Sequence, residues 1–172
     1  MRTERPLPSE YEEYFERYVK LVPAGDVNEL FVEQMNTMNS LLSDMSESAA
    51  ETSYEEGKWS IKEVAGHLSD AERMLSYLTF RIIRGDSSII PAINLSEYAL
   101  QGKYQRRPML DILEEWKSIR ESTLLLFKGL ENEDFQKTGT LKNHPISVRA
   151  SAYILLGHTQ HHMNILFERY NL

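Results

Sequence analysis

An all-α protein, built as a four-helix bundle with a short extra N-terminal helix, is the fold class this sequence predicts. Three observations carry that expectation. Four long stretches repeat apolar residues at spacings of three and four, the period of one helical face. Ser9 with Glu12 and Ser60 with Glu63 have the spacing of capping boxes, which start helices by satisfying their first free N–H groups. No run of alternating polarity reaches convincing strand length. Four long helices with one connection longer than a tight turn pack most simply as a bundle.

Residues 1–26 read as a proline-bearing tail and a short leading helix, started by Ser9 and Glu12 and carrying Tyr11, Phe15, Tyr18 and Val19. Residues 27–172 read as one bundle domain. Asp26 caps its first helix, whose Leu30, Phe31, Met35, Met38, Leu41, Leu42 and Met45 predict a helix to about Ser48. The polar stretch ESAAETSYEEGK is the connection, closing at Gly57 and Lys58.

The next helix starts at Ser60 and ends in basic residues followed by Gly85. Val64, His67, Leu68, Ala71, Leu75, Leu78 and Ile82 form its inward stripe, so His67 occupies a place where an apolar residue is expected. The stretch DSSIIPAINLSEYALQGKYQRR is a crossover with a short helix from Ser96, long enough to join parallel neighbours. Pro108 suits the first turn of a helix in which Leu110, Leu113, Trp116, Ile119, Thr123, Leu124 and Phe127 keep helical spacing up to Gly129. Residues 130–146 predict a loop with a small hairpin. The final helix spans Ser147 to Tyr170, with Ala152, Leu155, His158, His162, Ile165 and Arg169 along one stripe.

Composition narrows the chemistry. With no cysteine among 172 residues, disulfides, thiolate ligands and a cysteine nucleophile are excluded, and any metal must take nitrogen or oxygen ligands. A formal charge of −7 disfavours nucleic acid as a partner, because such binding rests on Lys and Arg neutralising phosphates. The basic set Arg81, Arg84, Lys103, Arg106 and Arg107 reads as solvated surface. No stretch approaches the roughly 20 apolar residues of a membrane span, and the N-terminus lacks a leader pattern, so the expectation is a cytoplasmic protein with no membrane partner; reading the chain as an enzyme adds the expectation of a small-molecule substrate.

Histidine placement is the most informative feature. His158 and His162 are four apart, which sets their Cβ atoms about 5–6 Å apart on one helical face and lets both grip one ion. His67, inward on another helix, is the candidate third ligand. The competing reading is a set of hydrogen-bonded core histidines; three unpartnered imidazoles would each cost about 1–3 kcal/mol, which a shared metal relieves. His161 is open between surface, outer-shell and ligand roles, while His144 reads as ordinary. Asp70 and Glu72 are the weak candidates for a catalytic carboxylate, with Asp70 one turn from His67 and so placed to orient an imidazole. Trp59 and Tyr98 are candidate pocket residues, more simply read as packing aromatics.

These residues resemble a known family. WSIKEVAGHLSDAE at 59–72 and GHTQHHMNIL at 157–166, with FRIIRGD, NLSEYA and LEEWKSIRESTLLLFKGLENEDF between them, are similar to the DinB-like (DinB/YfiT) superfamily of metal-dependent enzymes over residues 27–170. The resemblance implies an up-down-down-up helix order and one divalent ion, zinc or nickel, on His67, His158 and His162. It further implies a homodimer, and either transfer of a low-molecular-weight thiol or hydrolysis. Of these the thiol S-transferase is the first expectation; a non-catalytic, metal-stabilised binding or stress protein is the rival from another class.

Overall fold

A computed structural model describes residues 4–89, 91 and 94–172. Residues 90, 92 and 93, in the middle of the expected crossover, lie outside the described residues. The helices are α1 Glu16–Val19, α2 Val27–Leu42, α3 Glu47–Ala50, α4 Ile61–Ile83, α5 Leu95–Gly102, α6 Met109–Lys128 and α7 Val148–Tyr170, with a hairpin of β1 Thr138–Leu141 and β2 His144–Ser147 between α6 and α7. α2, α4, α6 and α7 form the bundle.

Local chemistry accounts for most boundaries. Asp26 accepts a hydrogen bond from the Asn28 N–H to start α2. Ser60 and Glu63 form the capping box of α4, with Ser60 accepting from the Glu63 N–H and Glu63 accepting from the Ser60 N–H at 2.7 Å. Gly85, at φ +76°, takes the left-handed turn after α4 that a residue with a Cβ resists. Ser147 caps α7 through the Ala150 N–H at 3.0 Å.

Three boundaries differ from expectation. α2 ends at Leu42, and Ser46 caps the separate turn α3 rather than lying inside a continuous helix. The leading helix is broken: two 3-10 turns, Pro8–Glu10 and Glu13–Phe15, precede α1, because Tyr11 is extended and Glu10 is drawn across the molecule to Arg149 and Ser147. Pro108 stands at the cap position just before α6.

Two apolar layers reveal the helix directions. One contains the starts of α2 and α7 (Val27, Phe31; Val148, Tyr153) and the ends of α4 and α6 (Leu78, Ile82; Leu124, Phe127). The other contains the ends of α2 and α7 (Met38, Leu42; Met163, Leu166) and the starts of α4 and α6 (Ile61, Val64; Met109, Ile112). α2 and α7 therefore run one way and α4 and α6 the other, an up-down-down-up order whose parallel pair α4 and α6 needs the long crossover. No helix among the described residues is long and apolar enough to cross a membrane.

Between the two layers lies a buried polar one. Arg120, fully buried, donates from Nε to both carboxylate oxygens of Glu72 at 2.8 and 2.9 Å, and through its other nitrogens to Gln34 and Thr159. Its guanidinium stacks against Phe31 and Trp116. One residue from each long helix thus meets at this charge, and the histidines lie in the same layer.

A candidate metal centre

His67 sits in the second turn of α4, and His158 and His162 project from successive turns of α7, which faces α4. The 3.6-residue period carries both α7 imidazoles to the same side. Ligand atoms of the three residues lie within 4.8 Å of one another, and Nε2 of His67 is 3.1 Å from Nε2 of His158. All three residues are buried. His162 Nδ1 has no hydrogen-bond partner among the described residues, and His67 meets the Leu95 backbone without an ordinary hydrogen bond at Nδ1.

Burial sets the protonation state. It pulls His67 down to about 4, with the Leu95 backbone opposing the shift. Burial and then the neighbouring His67 pull His158 down to about 3. His162 is held well below its ordinary value, by burial first and then by His158 and His67. Three neutral imidazoles therefore converge, each with a lone pair available.

This donor set fits a divalent ion. Two nitrogens bound to one ion at about 2.0–2.1 Å stand roughly 2.8–3.4 Å apart for angles between square and tetrahedral; the His67–His158 pair is at 3.1 Å, and the whole set lies within 4.8 Å, so a bound ion would draw His162 inward. The chain has no thiol to compete. Three ligands leave at least one coordination position open, which separates such a site from a closed structural one.

The cluster adjoins a cavity of about 450 Å³. Trp59 stacks toward it, with ring centroids 4.7 Å from His67 and 6.4 Å from His162. Trp59 is thus a wall of the site as well as a packing residue, whereas Tyr98 is exposed and is not among the lining residues. His161 is half-buried, lines the cavity and meets the edges of Tyr18 and His162. His144 is exposed on the hairpin.

Asp70 and Glu72 are not brought to the histidines. Asp70 accepts from the Tyr104 hydroxyl at 2.6 Å, and Glu72 is occupied by Arg120. Neither lines the cavity. In the basic set, Arg81 is bound to Asp86 and Ser88, and Arg107 to Glu115.

The leading segment contributes what sequence reasoning missed. Tyr14, Phe15 and Tyr18 line the cavity, and the Tyr18 ring meets His158 edge-on at 5.2 Å. Arg5 anchors the segment by donating to the carbonyls of Val19 and Val22. α1 reaches α7 because residue 157 is glycine: a Cβ there would overlap the Tyr18 carbonyl and lie 2.9 Å from its Cα. The glycine directly before His158 was the available signal.

Fold and site together define an up-down-down-up helical bundle with a buried three-histidine cluster able to hold a metal ion. A family model described as the DinB superfamily matches residues 30–166, and the chain belongs to that superfamily. Among solved structures it is similar to YfiT from Bacillus subtilis, described as "a probable metal-dependent hydrolase with an unusual four-helix bundle topology". That likeness has a TM-score of 0.71 at 15% identity, covering 98% of this chain and 92% of the other. No curated protein sequence matches the chain.

Proposed function

We propose that the chain is a metal-dependent enzyme that holds one divalent ion, zinc or nickel, on His67, His158 and His162 and acts on a small molecule in the adjoining cavity. The observation that carries this reading is the convergence of three buried imidazoles beside a cavity of about 450 Å³. A bound ion supplies a Lewis-acid centre that lowers the pKa of a thiol or a water molecule.

The chain's own residues do the rest. Trp59 and Tyr18 cover the histidine rings and limit water, while Leu75, Leu78 and Ile154 give the substrate an apolar seat. The first reading is transfer of a low-molecular-weight thiol: sulfur bonds to an electrophilic carbon, the leaving group departs with its electron pair, and the thiol proton passes to solvent. No carboxylate lines the cavity among the described residues, and attack by a thiolate needs no general base. The second reading, hydrolysis, is favoured by His161, a cavity-lining imidazole outside the three-histidine cluster whose pKa burial lowers, a residue type suited to act as general base.

Metal analysis of purified and reconstituted protein tests the centre, with one equivalent expected in the parent and a loss in His67→Ala and His162→Ala. Substoichiometric metal after reconstitution, or undiminished metal in His162→Ala, sinks it. Absorption of the cobalt-substituted protein then separates the chemistries. A spectral change on adding thiols is expected for transfer; a cobalt spectrum indifferent to thiols turns the reading to hydrolysis or a structural ion.

A further inference from the structure

The charge distribution around the cavity is opposite to that of the chain. The sequence has 26 Asp and Glu against 19 Lys and Arg, yet the described lining contains no carboxylate and one permanently charged side chain, Lys142. Lys142 forms no ion pair among the described residues, as is true of other exposed cations such as Lys20 and Lys128, but among the described residues it is the lysine or arginine that lines the cavity. A cation left unpaired at the edge of an apolar cavity, on an acidic protein, is free to meet an anion that comes with the ligand.

Its position is built rather than incidental. Leu141 pairs with His144 across the hairpin, so Lys142 and Asn143 form a two-residue turn. Lys142 takes φ +57°, where glycine is the usual occupant of such a turn. The hairpin is seated on the bundle: Ile146 is buried in the apolar core, and Gly139 has no side chain where Ile82 packs. Lys142 therefore stands at the tip of a hairpin whose base is anchored in the core, and is itself exposed.

The remaining lining sets the shape of the occupant. From His67 the cavity passes Leu75 and Leu78 on α4, with Ile154 opposite on α7 and Leu141 beside Lys142. At 1.5 Å per helical residue, His67 and Leu78 are roughly 16 Å apart along α4. The histidines occupy the buried end and Lys142 the exposed one.

We propose that the cavity takes an elongated apolar molecule with one anionic oxygen group at the end remote from the histidines, and that Lys142 selects that charge. The inference rests on the metal-enzyme reading only for which end of the ligand reacts. The binding preference itself needs the cavity and the lysine alone.

The test is titration of three probes of matched length, phenylhexanoate, its isostere phenylhexanamide, and phenylhexylamine, followed by tryptophan fluorescence, since Trp59 lines the cavity. Metal-free protein removes the alternative in which the carboxylate binds an ion; metal-loaded protein is measured in parallel. The acid should bind about three- to five-fold more tightly than the amide, as one exposed ion pair allows, with the amine weakest. Lys142→Gln should equalise acid and amide, Lys142→Glu should reverse the order toward the amine, and Lys142→Arg should keep the preference. Equal binding of acid and amide by the parent, a preference that survives Lys142→Gln, or no measurable binding of any probe overturns the proposal. A Lys142-dependent preference in a protein that fails to take up metal would leave this inference standing and sink the metal reading; stoichiometric metal without that preference does the reverse.

Discussion

Replacing Gly157 by Ala adds one methyl group at the seam between α1 and α7. Isolated in a helix, the change would stabilise by about 0.5–1 kcal/mol, because glycine loses the most backbone entropy on folding. Here the new Cβ would overlap the Tyr18 carbonyl and stand 2.9 Å from Tyr18 Cα. Ordinary carbon contacts are about 3.5–4.0 Å, so α1 must retreat by roughly 1 Å at that Cα and further at the carbonyl. Overpacking of this kind costs about 1–3 kcal/mol, which exceeds the helical gain. Tyr18 moves with its backbone and loses its seat on His158. Urea denaturation should show a net loss of about 0.5–2 kcal/mol, and amide exchange should accelerate selectively over residues 16–22. A variant more stable than the parent, with unchanged exchange there, would refute the claim that glycine is needed for this contact.

Glu72→Ala leaves the fully buried Arg120 without its carboxylate and should destabilise the protein by about 3–5 kcal/mol in urea; a loss below 1 kcal/mol would contradict the pairing described. Asp70→Asn should cost no more than about 1.5 kcal/mol and leave metal stoichiometry intact, since its partner is Tyr104 rather than an imidazole. In metal-free protein the unfolded histidines, near 6.5, take up protons before the folded ones, near 4 for His67 and 3 for His158. Their contribution is complete above pH 6.5 and is lost as pH falls toward those folded values, at up to about 1.4 kcal/mol per pH unit for each. Equal urea midpoints at neutral pH and at about pH 5 would refute the desolvated state of the cluster.

The bundle was legible because periodicity and capping are local signals. Ser60 and Glu63 form their box as the spacing predicts. His67, His158 and His162 were legible for a related reason: each is a polar residue on an otherwise apolar stripe, and that mismatch survives without coordinates. Long-range pairing was not legible. Ser9 and Glu12 have capping spacing, but Glu10 bonds to Arg149, 139 residues away, and breaks the expected helix. Arg120 carried the same kind of signal as the histidines, lying one turn after Trp116 on an inward face, yet its claim on Glu72 became evident only when α4 and α6 were seen side by side. The role of Tyr18 depends on a missing side chain at Gly157, which no pattern of hydrophobicity records.

The separation of 91 positions between His67 and His158 has a consequence for synthesis. A ribosome that has completed α4 has made one imidazole of the cluster, and the other two follow only when α7 is built. Until then His67 is a lone polar group on the apolar face of an amphipathic helix, and the polar layer lacks Thr159 as well. The cluster is therefore assembled late, by the docking of α7 between α2 and α4, and a growing chain stopped short of His158 offers a divalent ion no chelate at this position.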